Sequence, residues 1–169
     1  MSATLQRDQA MSLAKTPPAK AHKKALQVSE PWFRAQALSA VAYHAEGDPL
    51  PFAAQASKAA AECNDDYKRS AVRAWEISAL AERDFMSDAR RALDQAVKLA
   101  RTVQPFSSRS EALYLLLQAA FAIGNKEASV VNDAIKASCP SDEHWRCKRA
   151  LRDGDKLISG ELVPRKFHW

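Results

Sequence analysis

Cys139, His144, Cys147 and, farther on, His168 are the side chains in this sequence whose types could gather a metal ion. Thiolate and imidazole are zinc ligands, but structural zinc sites draw closely spaced pairs from two knuckles. Four residues separate Cys139 from His144, and two separate His144 from Cys147, which fits neither a ribbon nor a finger. No metal and no cofactor is expected. Catalytic sets are equally hard to assemble. His22, His44, His144 and His168 have no serine or cysteine nucleophile in a recognisable elbow. The chain has 4 glycines in all, too few for a phosphate-cradling loop. The acidic pairs Asp65-Asp66 and Asp142-Glu143 fall at predicted helix starts, where attraction to the helix dipole explains them. His44 shares its helix with Tyr43 and Glu46, with nothing to define an acid–base role. The chain reads as a non-enzyme with no catalytic residues.

The remaining chemistry is repetitive. Arg34, Ala37 and Leu38 recur in the same spacing as Arg109, Ala112 and Leu113; Arg69 precedes Val72 by three, and Arg146 precedes Ala150 and Leu151 one residue out of step. The arginines return roughly every 35–40 residues, the period of stacked helical hairpins. A basic residue repeated in every unit either lines a groove that grips acidic groups or bridges to a nearby carboxylate or carbonyl. The second reading is favoured, because what every unit repeats usually serves its stacking. An aromatic precedes each arginine (Trp32 and Phe33, Tyr67, Phe106, Trp145). A stacking ladder for bases or prolines is one use; a plug between adjacent hairpins is the favoured one, since apolar residues beside helix starts fix the incoming angle.

The elements that position these residues are helices. Alanine is abundant and glycine scarce, a balance that favours helix nearly everywhere. A chain of 169 residues buries a single core without staples. No apolar run approaches the roughly 20 residues a membrane span needs, and the densest stretch, Ala112 to Ile123, reads as a buried helix. The N-terminus lacks the apolar stretch of a secretory signal. Three scattered cysteines argue against a disulfide framework, so reduced thiols in a cytoplasmic protein are expected. The net charge of +5 resides at the two ends, and the middle of the chain is slightly acidic. Basic ends attract acidic partners or simply solubilise the chain, the simpler reading.

Residues 1–18 read as an N-terminal arm ending at the breaker Thr16-Pro17-Pro18, and a helix follows from about Ala19 to Val28. Ser29, Glu30 and Pro31 open the next helix as cap, acidic first residue and tolerated proline. Its stripe of Ala37, Leu38, Val41, Ala42 and Ala45 closes at Gly47-Asp48-Pro49. A return helix carries Phe52, Ala56, Ala59, Ala60 and Cys63. The second hairpin runs from Asp66 to about Arg83 and returns from a Ser87 cap through Ala89, Ala92, Leu93, Ala96 and Ala100. The third runs from Pro105 and Ser107 to Ile123, turns at Gly124-Asn125, and returns over about Lys126 to Ser138. After a reset at Cys139-Pro140-Ser141 comes a last helix, roughly Asp142 to Gly154. Residues 153–169 are expected to form a tail whose Lys166-Phe167-His168-Trp169 either docks elsewhere or covers the final hairpin.

One such hairpin cannot bury its own apolar face, so successive hairpins must stack. The phrase Pro31, Arg34, Ala37, Leu38, Val41, Ala42, Gly47, with the looser copy Pro105, Arg109, Ala112, Leu113, Leu116, Gly124, resembles α-α superhelical repeats of the tetratricopeptide-like or HEAT-like kind over residues 19–152. The expected fold is therefore all-α: about three and a half antiparallel hairpins stacked as a short right-handed superhelix. The resemblance implies a scaffold that binds another protein or peptide. Its concave face is expected from the second helices, whose polar residues Gln55, Lys58, Arg90, Asp94, Lys98, Asn132 and Lys136 are the candidate contacts. Open ends of such a stack also leave room for two copies to associate. The alternative is a nucleic-acid-binding solenoid in which Lys15, Lys20, Lys23 and Lys24 join Arg146, Lys148, Arg149 and Arg152 on phosphates.

Overall fold

A computed structural model describes residues 2–15, 18–139 and 144–168, all-helical with no strand among them. The predicted breaks at Thr16-Pro17 and Pro140-Ser141, the pair Asp142-Glu143 and the terminal Trp169 lie outside the described residues. The helices are α1 (Ala3–Ala14), α2 (Pro18–Leu26), α3 (Pro31–His44), α4 (Leu50–Ala61), α5 (Asp66–Ala71), α6 (Arg73–Glu82), α7 (Met86–Ala100), α8 (Phe106–Ala120), α9 (Asn125–Ser138) and α10 (Trp145–Ser159).

Two kinds of helix alternate, and their sequences say why. In α7, Ala89, Ala92, Leu93, Ala96, Val97 and Ala100 are buried while Arg90, Arg91, Asp94, Gln95 and Lys98 face solvent, the stripe of a helix with one covered side. In α3 every residue from Ala35 to Ala42 is buried, and in α6 every residue from Ala74 to Ala81. Such helices have neighbours on several sides, and their many alanines let those neighbours approach closely. Leu38, Ile77, Leu113, Leu116 and Leu117, none more than 1% exposed, fill the space between them.

The packing follows the alternation. Helices α1, α3, α6, α8 and α10 contact one another in succession, α5 joining α6 in its contact with α8. Each second helix (α2, α4, α7, α9) packs against its hairpin partner and against the next first helix, and second helices make no substantial contact with each other. The helix-prone N-terminal arm forms α1, which packs on α2 and α3 and buries Ala10 and Ala14. Its Arg7 Nη1 donates to Gln36 Oε1 at 3.1 Å.

Several boundaries differ from the sequence reading for local reasons. Ser29 does not cap α3; its N–H and hydroxyl both donate to Gln6 Oε1 on α1, so the α3 N-cap passes to Glu30 without a side-chain bond. The expected single helix from Asp66 to Arg83 divides at Val72 into α5 and α6, while Asp65 caps α5 by accepting from Lys68 N at 2.7 Å. Asp84, at φ 64°, turns the chain out of α6 with Asp84 N–H bonded to Ala81 O and Phe85 N–H to Leu80 O. These are the paired bonds of a Schellman stop, and they start α7 at Met86, ahead of the expected Ser87 cap. The final helix runs through Gly154 to Ser159 rather than ending there, because Gly154 is an interior contact: a Cβ would collide with Asn132 Oδ1 of α9. Gly160, at φ 80°, is the actual stop.

Candidate functional site

The three recurrent arginines do the same thing. Arg34 Nη1 donates to Val28 O at 2.9 Å, Arg69 Nε to Cys63 O at 2.8 Å, and Arg109 Nε to Val103 O at 3.0 Å. Each carbonyl lies six residues upstream, on a buried residue just past the end of the preceding second helix. The N–H of that residue bonds in turn to an alanine three places earlier: Val28 to Ala25, Cys63 to Ala60, Val103 to Ala100. The repeated unit is therefore alanine, a small apolar residue three on, and an arginine six beyond that, latching each second helix to the next first helix. Arg34 adds an ion pair to Glu62, and Arg69 one to Asp66 at 3.0 Å. A fourth, Arg83, is not in phase with these. Its guanidinium donates to Ala42 O, Tyr43 O, Ala45 O and Gly47 O at 2.5–3.2 Å, satisfying carbonyls at the C-terminal end of α3.

The aromatics beside the arginines mostly join hairpins. Trp32 of α3 stacks on Tyr67 of α5 with centroids 6.2 Å apart and meets Trp75 of α6 edge-on at 5.9 Å. Trp145 behaves otherwise. It is 60% exposed, with the guanidinium groups of Arg146 and Arg149 over its ring at 5.4 and 5.5 Å.

Of the seven polar residues expected to meet a partner, only some face open space. Gln55 is committed to His22 Nε2 at 2.6 Å. Asn132 is 3% exposed rather than on a polar face; its Nδ2 donates to Asp155 Oδ1 at 3.1 Å, the same oxygen that Lys136 Nζ reaches at 2.9 Å, so both serve the seam between α9 and α10. Lys58 is exposed on α4. Arg90 reaches across from α7 to Glu127 of α9 at 2.7 Å, and that bond holds the Glu127 carboxyl below the usual carboxylate range. Asp94 and Lys98 border an open groove between α7 and α9 of about 480 Å³. Its floor is Leu93, Val97, Val130 and Val131, with Val130 54% exposed; Arg101 and Lys126 complete a rim on which cations outnumber free carboxylates. The stripe in α7 pointed to this side, but the contributions of Lys126 and Val130 depend on how α9 is set against α7, which no local pattern reports.

The tail crosses the opposite row. Beyond Gly160, Arg165 N–H donates to Gln118 Oε1 of α8 at 3.2 Å, and its guanidinium lies over Trp75 and Phe167 at 5.3 and 4.9 Å. Phe167 meets Trp75 edge-on at 5.1 Å. His168 stacks on Tyr43 of α3 at 4.9 Å and donates Nε2–H to the Trp75 carbonyl at 2.8 Å. The tail thus reaches past the final hairpin to the middle of the chain. Phe167 and His168 are 1% and 2% exposed. Burial drives the His168 pKa down to about 4 from 6.5, against the opposing pull of the Trp75 carbonyl and helped by the nearby His44. His168 Nδ1 has no hydrogen-bond partner among the described residues.

His168 is committed to Tyr43 and Trp75, and among the described residues no group of three or more potential ligands gathers around Cys139, His144 and Cys147. Cys139 and Cys147 do meet. Burial, and then the neighbouring Cys147 thiol, push Cys139 up to about 12, so it is a poor nucleophile at neutral pH. Nor do the basic ends form one patch: α1 and α2 pack at α3, whereas α10 packs on α8 and α9. Arg149 is further occupied by both carboxylate oxygens of Glu111. No described helix is long and apolar enough to cross a membrane. Comparisons with protein-family models, curated proteins and solved structures found no significant match to this chain.

Proposed function

We propose that this chain is a non-enzymatic helical-repeat scaffold of the tetratricopeptide-like or HEAT-like kind, a short right-handed α-α superhelix that binds an acidic amphipathic helix of a partner protein between α7 and α9. Support for the superhelix comes from the alternating packing and the in-phase arginine latches. In a bent row the inner elements crowd and the outer ones separate. First helices touch in succession and second helices do not, which favours first helices on the inner side, the reverse of the arrangement expected from sequence.

The observation that carries the binding reading is the apolar floor left open because α7 and α9 stand apart. A helix laid there covers Val97 and Val130, and acidic residues on its flanks meet Lys98, Arg101 and Lys126. The nucleic-acid alternative needs both basic ends to act together, and they belong to helices that do not pack on one another.

A photo-crosslinker at position 130 tests the groove. The expected result is capture of a partner through an acidic amphipathic segment, lost on the combined reversals Lys98→Glu and Lys126→Glu and retained on Lys58→Glu. Capture indifferent to all three removes the groove as the binding surface. Retardation of DNA or RNA at low salt, steeply weakened as salt rises, would favour the alternative instead.

A further inference from the structure

The tail lies on the first-helix row as a bound peptide would. Its outer side faces solvent: residues 161–163, 165 and 166 are exposed, Val163 at 88%, and the segment starts at the Gly160 helix stop. What holds it is a short set of readable contacts. They are a backbone N–H on Gln118, a guanidinium between two rings, a phenyl edge on Trp75, and an imidazole stacked on Tyr43 and donating to a helix carbonyl.

The walls of this cleft have supporting contacts outside the tail. Trp75 is braced from behind by Trp32, which is itself stacked on Tyr67. Tyr43 is flanked edge-on by His44 at 4.8 Å, and Arg83 fixes the carbonyls of Ala42 and Tyr43 below it. The occupant, by contrast, is imperfectly matched. It buries a neutral imidazole whose Nδ1 has no partner among the described residues. A braced cleft holding a segment whose outer side faces solvent is the arrangement of an exchangeable site.

We infer that the cleft formed by Tyr43, Trp75 and Gln118 is a binding site for an extended peptide from a partner protein. The ligand carries a basic residue, then an aromatic two places on, then a neutral hydrogen-bond donor, and residues 161–168 of this chain occupy the site until such a peptide displaces them. The proposal shares with the scaffold reading only the idea that the helix rows recognise peptides. It concerns the opposite face from the α7–α9 groove, so either can fail while the other stands.

The test uses a fluorescent peptide with the sequence of residues 161–169 and a chain ending at Gly160. By fluorescence anisotropy the shortened chain is expected to bind the peptide in the micromolar range, and the full chain at least about tenfold more weakly because its site is filled. Phe167→Ala in the peptide should abolish binding, and Lys98→Glu with Lys126→Glu in the protein should leave it unchanged. A shortened chain that keeps its helical circular dichroism yet binds nothing overturns the proposal, as does a full chain that binds equally well. Should the shortened chain fail to fold, the full chain cut at a protease site placed after Gly160 decides the matter. Exchange of its own tail for labelled peptide upholds the site, and a tail that never exchanges makes the segment ordinary core.

Discussion

The row of first helices and the row of second helices solve opposite problems with the same amino acids. First helices α3, α6 and α8 are buried nearly all round and crossed by the tail, and the latching arginines stand in α3, α5 and α8. Second helices such as α7 keep one covered stripe and present lysine, arginine and aspartate outward, with an open groove beside them. The lesson is that the cohesive row and the accessible row are separate. Stability should respond chiefly to changes in the first, and binding at the α7–α9 groove to changes in the second.

The largest contrast pits a leucine of the first row against a valine of the second. Leu113→Ala, at a wholly buried site in α8, should cost about 3 kcal/mol of unfolding free energy. Val130→Ala, on an exposed floor residue, should cost under about 0.5 kcal/mol while weakening capture by the groove. Urea titrations of the two variants check both, and equal losses would break the division.

The tail gives a pH-dependent effect nearly as large. Unfolded, the His168 imidazole takes its proton near 6.5; folded, it resists until about 4, so protonation favours the unfolded or released state. Its contribution is whole above about pH 6.5 and falls away as pH drops toward 4, reaching a loss of about 2 kcal/mol near pH 5. His44, also held low by burial and by Lys15, moves in the same direction. Phe in place of His168 should flatten the stability profile between about pH 5 and 7 relative to the parent chain, measured by urea midpoints. A profile unchanged by His168→Phe would mean the imidazole is not buried in solution.

Smaller effects sharpen the comparison at the level of single arginines. Arg83→Ala strips four carbonyls at the end of α3 of their donor and should cost about 2 kcal/mol. Arg90→Ala breaks an ion pair whose arginine is 52% exposed and should cost under about 1 kcal/mol, falling further with added salt. Thermal melts of both variants at two salt concentrations separate them.

What was legible in the sequence was whatever repeats at short range. The α7 stripe, the acidic helix start at Asp65-Asp66 and the recurring arginines announced themselves because their signals lie within a few residues. Half of the latch was in plain view; the apolar residue six places before each arginine has no distinguishing chemistry of its own and went unread. The burial of Asn132 was hidden because its cause, the glycine at 154 that lets α10 approach, belongs to another helix. Gly154 itself read as a stop, since propensity weighs a glycine without knowing its neighbours. The tail's destination was least accessible of all. Phe167 and His168 are compatible with docking elsewhere or with covering the final hairpin, and nothing local ties His168 to a tryptophan 93 positions earlier.

The latches have one further consequence. In every one the carbonyl contact closes within a stretch of ten residues, alanine to arginine. A hairpin therefore travels with its own fastening. A duplicated pair of helices spliced in at Val103 would bring along the clasp that joins it to the next.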